Sequence, residues 1–215
     1  MTGRLRVLDA SERFGEILFG LIMVLTFTGS LSAAESGHTE VRTMLIGALG
    51  CNFAWGIVDG IMYILDNLGQ RGRGLLTLHR VIGARSPETA HGLIAEALPG
   101  PVASVLRPDE LESIRKRLAD LPEPPRRGGL VRDDFLGALG IFLLVFLSTF
   151  PVVIPFLVMR DAMAALRVSN VIAIAMLFVG GYFLGKSSGY KPARTGLVMV
   201  GIGAVLVAIT IALGG

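Results

Sequence analysis

Asn52, Asp59 and Asp66 recur every seventh residue through an otherwise apolar stretch, "GCNFAWGIVDGIMYILDNLG". On a helix a step of seven residues falls only about 20° short of two full turns, so the three form one polar stripe, flanked by Met62 and Tyr63. An earlier stretch repeats the spacing with Glu16, Met23 and Ser30, and Gly20 and Thr26 lie near the same face. A carboxylate, a thioether and a hydroxyl in line suit a divalent cation, because oxygen ligands hold hard cations and sulfur adds preference for softer transition metals. Asp59 weighs most. A carboxylate near the middle of a membrane-spanning helix costs about 2.5 to 3.5 kcal/mol on insertion scales, so it faces a partner, a cavity or an ion path. The competing reading is structural: Met23 and Met62 as apolar filling, Glu16 at the interface, and Asp59 as a hydrogen-bonded clamp between helices.

Both readings need a membrane, and the composition supplies one. The 215 residues are 52% hydrophobic and only 17% charged, more apolar surface than one soluble core of that size buries. The apolar residues are bunched into five windows, Ile17 to Ala34, Met44 to Leu65, Phe135 to Val158, Asn170 to Leu184 and Gly196 to Leu213. Most approach the roughly 20 residues that a bilayer core requires of a helix; the fourth is short. An all-α integral membrane protein with five transmembrane helices is the expectation. A cleavable signal peptide competes for the first window, which ends in Ser32, Ala33 and Ala34, but the run is long for one and its leader carries Asp9, Glu12 and Glu16.

The net charge of +3 is a topology signal once it is placed along the chain. Alternate sides of a five-span chain carry 17 and 3 of the 20 Lys and Arg residues. The positive-inside rule then puts the N-terminus, residues 69–134 and the loop with Lys186, Lys191 and Arg194 in the cytoplasm, and the C-terminus on the far side. The basic residues point to the lipid bilayer and not to nucleic acid. The chain divides into residues 1–68 with the first two helices, a helical cytoplasmic insert over 69–134, and residues 135–215 with helices three to five. In the insert, "QRGRG" reads as a flexible basic exit, Ser86, Pro87 and Glu88 as a helix start, "RPDELESIRKRLADL" as an amphipathic helix and "PEPPRRGG" as a break. Pro151 and Pro155 kink the third span, freeing backbone carbonyls and presenting the Ser148 and Thr149 hydroxyls. The pairs Gly56/Gly60 and Gly181/Gly185 allow a second helix backbone to come close, which suits a homodimer built around the first two helices.

Enzyme chemistry finds no purchase. There is no Walker sequence, no HExxH and no GxSxG, the three histidines lie in loops or the insert, and the intramembrane serines have no His or Lys to activate them. Cys51 is the only cysteine, so neither an intrachain disulfide nor a cysteine zinc site is possible.

The five spans, the insert between spans two and three, the proline-bearing "LGALGIFLLVFLSTFPVVIPF" and the closing "GLVMVGIGAVLVAITIALG" resemble the vacuolar iron transporter family. The likeness is most specific over residues 135–215. It implies a homodimer that moves Fe(II), and often Mn(II), out of the cytosol in exchange for protons. The metal is the transported ion, with no tightly bound cofactor, and the membrane is a bacterial inner membrane or a vacuole-like one. The family's path of carboxylate and methionine between the first helices corresponds here to Asp59, Met62, Met23, Glu16, Asp66 and Asn52. For its glutamate-rich metal-collecting domain the arginine-rich insert offers only Glu88, Glu96, Glu110 and Glu112, too scattered to reproduce the family's cluster. The chain departs from the family at its first helix, where "FGLIMVLTFTGS" has no acid, and at its second, where "GIVDGIMY" stands for a Gly-Glu-Tyr stretch. The alternative function is a non-transporting membrane protein whose basic insert docks a partner or anionic lipid.

Overall fold

The computed structural model describes residues 8, 10–31, 38–121 and 129–212. Among these the chain is helical, without strands, in the order α1 (Ala10–Leu31), α2 (His38–Ile82), α3 (Pro87–Ala97), α4 (Gly100–Ala103), α5 (Pro108–Ala119), α6 (Arg132–Ser148), α7 (Phe150–Val158), α8 (Ala162–Ser187) and α9 (Pro192–Ala212). Among the described residues three stretches are long and apolar enough to cross a membrane, Val41–Ile82, Arg132–Val158 and Ala162–Ser187, and Pro192–Leu206 is a shorter apolar helix. The protein is therefore an integral membrane protein with several passes. The Ser32 to Ala34 run, the "PEPPRRG" break and the C-terminal Gly215 lie outside the described residues.

The chain forms two compact units, Met1–Tyr63 with Arg132–Gly215, and Ile64–Val131. In the first, Leu21 and Val24 of α1, Ala48 of α2, Val152 and Val153 of α7, and Ala165 and Leu177 of α8 build one core. Outward positions such as Ile57, Leu139, Ile174 and Val205 are also large and apolar. Helices apolar on every side belong in lipid or in a protein interior. The fourth apolar window is lengthened by the structure: α8 starts at Ala162, capped by Asp161, whose Oδ1 accepts from the Ala164 N–H at 3.0 Å. The third window is divided at Thr149, next to Pro151. Pro151 and Pro155 supply no N–H, and the Val152 carbonyl in this turn accepts from the Ser169 hydroxyl of α8 at 2.7 Å.

Both glycine pairs are used inside the chain. A Cβ on Gly56 would press on Phe142 and one on Gly60 on the Ala138 carbonyl, both of α6. Gly181 lies against Met199 and Gly196, and Gly185 against Thr195 and Pro192, all of the α8 to α9 hairpin. The chain's own helices already make the close backbone approach that small residues permit.

In the second unit, α2 continues helically through "QRGRG" to Ile82, where the sequence suggests a flexible exit. A glycine costs a helix interior about 1 kcal/mol. Here Arg71 offsets it by donating from Nε to the Asn67 carbonyl at 3.3 Å and from Nη1 to the Gly129 carbonyl at 2.5 Å. The Ser86 hydroxyl accepts from the Thr89 N–H at 3.2 Å and opens α3 as expected. Leu111, Ile114 and Leu118 of α5 close over Val81, Ala90 and Ile94.

Candidate functional site

Three observations fix how α1 and α2 run past each other. Gly47 lies against the Phe27 ring, Asn52 Nδ2 donates to the Gly20 carbonyl at 3.2 Å, and Phe19 meets Trp55 edge-on at 5.9 Å. These belong to a single antiparallel register. It brings Glu16 and Asp59, read from two separate stripes in the sequence, to the same level. Met23 is half-buried one turn beyond Gly20, near the level of Asn52.

The other side of the stripe meets α6. Asn52 Nδ2 also donates to Thr149 Oγ1 at 2.6 Å, and below it come Gly56 against Phe142, Gly60 against Ala138 and Tyr63 against Gly137. Asn52 is 0% exposed, and its Oδ1 is buried without a hydrogen-bond partner. Asp59 is half-buried, and its Oδ2 is likewise buried and without a partner. Among the described residues these are the two side-chain atoms in that condition. A buried acceptor left unmade costs about 1 to 3 kcal/mol, so two on one stripe mark a place where a cation, a proton or water belongs.

The remaining expected residues are placed differently. Met62 is 56% exposed on the side of α2 away from α6. It sits about 60° from Asp59 around the helix, opposite in sense to Gly56, and α6 takes the glycine side. Asp66 is exposed and falls in the Ile64–Val131 unit. In that unit Glu88, Glu96, Glu110 and Glu112 are not gathered. Glu110 accepts from the Arg107 N–H at 2.8 Å at the start of α5, and Glu112 takes both Nε and Nη2 of Arg115 at 2.8 and 2.7 Å, with His91 Nε2 at 3.0 Å. Arg115 first, and then His91, hold the Glu112 carboxyl well below the usual carboxylate range. Glu88 is lowered by its own backbone N–H and by Ser86, and Glu96 is exposed. No three of His, Cys, Asp and Glu come together as a metal-binding group among the described residues.

One contributor to this site and one buried acid were missed in the sequence. Thr149 figures there only as a freed hydroxyl, whereas it anchors Asn52. Asp134, counted with the insert, is 3% exposed in the first turn of α6, where an acid also suits the helix dipole. Its place beside the polar-to-apolar change at Phe135 is the signal that could have found it.

Glu16, Asp59 and Asn52 thus offer oxygen donors to a cation along one edge of α2, with Met23 sulfur at hand. A model describing the VIT family matches residues 107–215 of the chain. No curated protein matches it.

Proposed function

The chain belongs to the VIT family of membrane metal-ion transporters, and from that membership we propose that it carries a divalent transition metal, Fe(II) or Mn(II), out of the cytosol in exchange for protons. The observation that carries the reading is Asp59, a carboxylate in the spanning part of α2 whose buried Oδ2 has no donor and which lies at about the level of Glu16 of α1. An arriving divalent cation favours the ionised carboxylate, and burial in low dielectric favours the protonated one. Metal and proton therefore compete for one group, which is the minimal requirement of an exchanger.

Glu16 forms the entrance to this site, and Met23, half-buried, adds a soft ligand further along α1. The chain's own set is incomplete for a cation that prefers about six ligands, so water or a second copy supplies the rest. A homodimer that buries the outward face of α2 would bring Met62 of each copy towards the path. Counting α1 and α9, at 22 and 21 residues, would make five spans, and the basic bias favours a cytoplasmic insert. Purified protein in proteoliposomes should take up Fe(II) or Mn(II) faster when a proton gradient opposes the metal flow. No uptake of Fe(II), Mn(II), Co(II) or Zn(II) under either condition ends the transporter reading.

A further inference from the structure

Asn52 is held unusually firmly for a residue left with an unmet atom. Its two amide hydrogens reach two other elements, the Gly20 carbonyl of α1 at 3.2 Å and the Thr149 hydroxyl between α6 and α7 at 2.6 Å. The nitrogen's position is fixed by two acceptors, so Oδ1 is fixed as well, facing neither of them and buried without a donor. A clamp between three helices would need only the nitrogen. Leucine or alanine avoids the cost of a buried unmet oxygen, about 1 to 3 kcal/mol.

We propose that Asn52 Oδ1 is a second ligand position for the permeating cation, a neutral oxygen two helical turns from Asp59 that replaces one water of hydration as the ion leaves the carboxylate. This inference rests on the transporter reading above. Seven residues place the two sites about 10 Å apart along α2, too far for one ion to touch both and a fitting step for successive occupancy. A neutral amide binds a divalent ion more weakly than a carboxylate and holds no proton. The ion is thus released from the acidic site without being trapped at the next one. The Gly20 carbonyl and the Thr149 hydroxyl keep the amide from turning its hydrogens towards the ion, which would repel it.

The test compares three variants with the parent in proteoliposomes, using Mn(II) uptake as the readout and monodispersity in detergent as the check on folding. Asn52→Ala removes oxygen and nitrogen; Asn52→Asp keeps an oxygen and loses the amide donors; Thr149→Val removes the anchor and leaves Oδ1. A ligand role predicts that Asn52→Ala raises KM for Mn(II) tenfold or more, that Asn52→Asp lowers KM but slows turnover because a charged oxygen traps the ion, and that Thr149→Val, whose Asn52 amide is still held by the Gly20 carbonyl, stays within about threefold of the parent. A clamp role predicts that Asn52→Asp and Thr149→Val fail together with Asn52→Ala, and that result overturns the proposal, as does an Asn52→Ala protein with unchanged KM. Should Asn52→Ala not fold, the Thr149→Val and Asn52→Asp pair still decides between the two roles. If the parent moves no metal, the transporter reading fails and this inference falls with it; if the parent transports and the variants follow the clamp pattern, this inference fails alone.

Discussion

Glu112 illustrates how a residue named for one chemistry serves another. Its carboxyl lies between Arg115 and His91 and is held well below the usual carboxylate range. A depressed carboxyl contributes stability that is present above its ordinary value, about pH 4.3, and is lost as pH falls through the depressed one. The contact between α3 and α5 should therefore hold at neutral pH and loosen only in strong acid. Glu112→Gln should speed amide exchange in α3 and α5 at pH 7 and remove the acid step; identical exchange in both proteins would contradict the pairing. In the spanning part, Met23→Ala should raise the ratio of Mn(II) to Zn(II) flux, since the soft ligand is lost, and an unchanged ratio would take sulfur out of the path. The sequence made Asp59 legible because its insertion cost is local. The surroundings of Met62 were not legible, because a seven-residue stripe does not say which flank the next helix covers.

At the scale of elements, apolar windows located the cores of the spanning helices and misjudged their ends. Asp161 extends α8 upstream of the apolar run, and α2 passes through Gly72 and Gly74 because side-chain and ladder hydrogen bonds outweigh propensity. Neither effect is visible in hydropathy. The α3 start was legible from Ser86 and Pro87, since a cap is set by neighbours in sequence. Helix pairing was not legible: GxxxG announces a close neighbour without naming it, and here that neighbour is α6. Gly20 has the same role unannounced. A Cβ there would meet the Ser148 hydroxyl and the Val145 carbonyl, the latter at 2.6 Å, and the carbonyl belongs to backbone that cannot swing aside. Gly20→Ala should destabilise the α1 to α6 contact by about 1 to 3 kcal/mol, seen as a lower unfolding temperature in detergent. An unaltered midpoint would mean that α1 shifts freely.

For the whole molecule the charge asymmetry gives the sharpest expectation. Reporter fusions at residues 100 and 215 should lie on opposite sides of the membrane, and the same side for both would remove the five-span arrangement. With both glycine pairs occupied inside the chain, a homodimer must use other surfaces, and the exposed run of Trp55, Val58, Ile61, Met62 and Leu65 on α2 is the one next to the candidate path. Native mass in detergent should show two copies, while a monomer at every concentration would leave Met62 without a role in transport. The central claim is that Asp59 binds the transported cation and exchanges it for a proton. Asp59→Asn keeps the size and most of the hydrogen bonding and removes the charge, so packing should survive it. The direct measurement is Fe(II) and Mn(II) uptake into proteoliposomes under an opposing proton gradient, parent against Asp59→Asn at matched protein content. Metal flux is expected in the parent and its near-complete loss in a variant that remains folded; a variant that transports as fast as the parent would contradict the exchange role of Asp59.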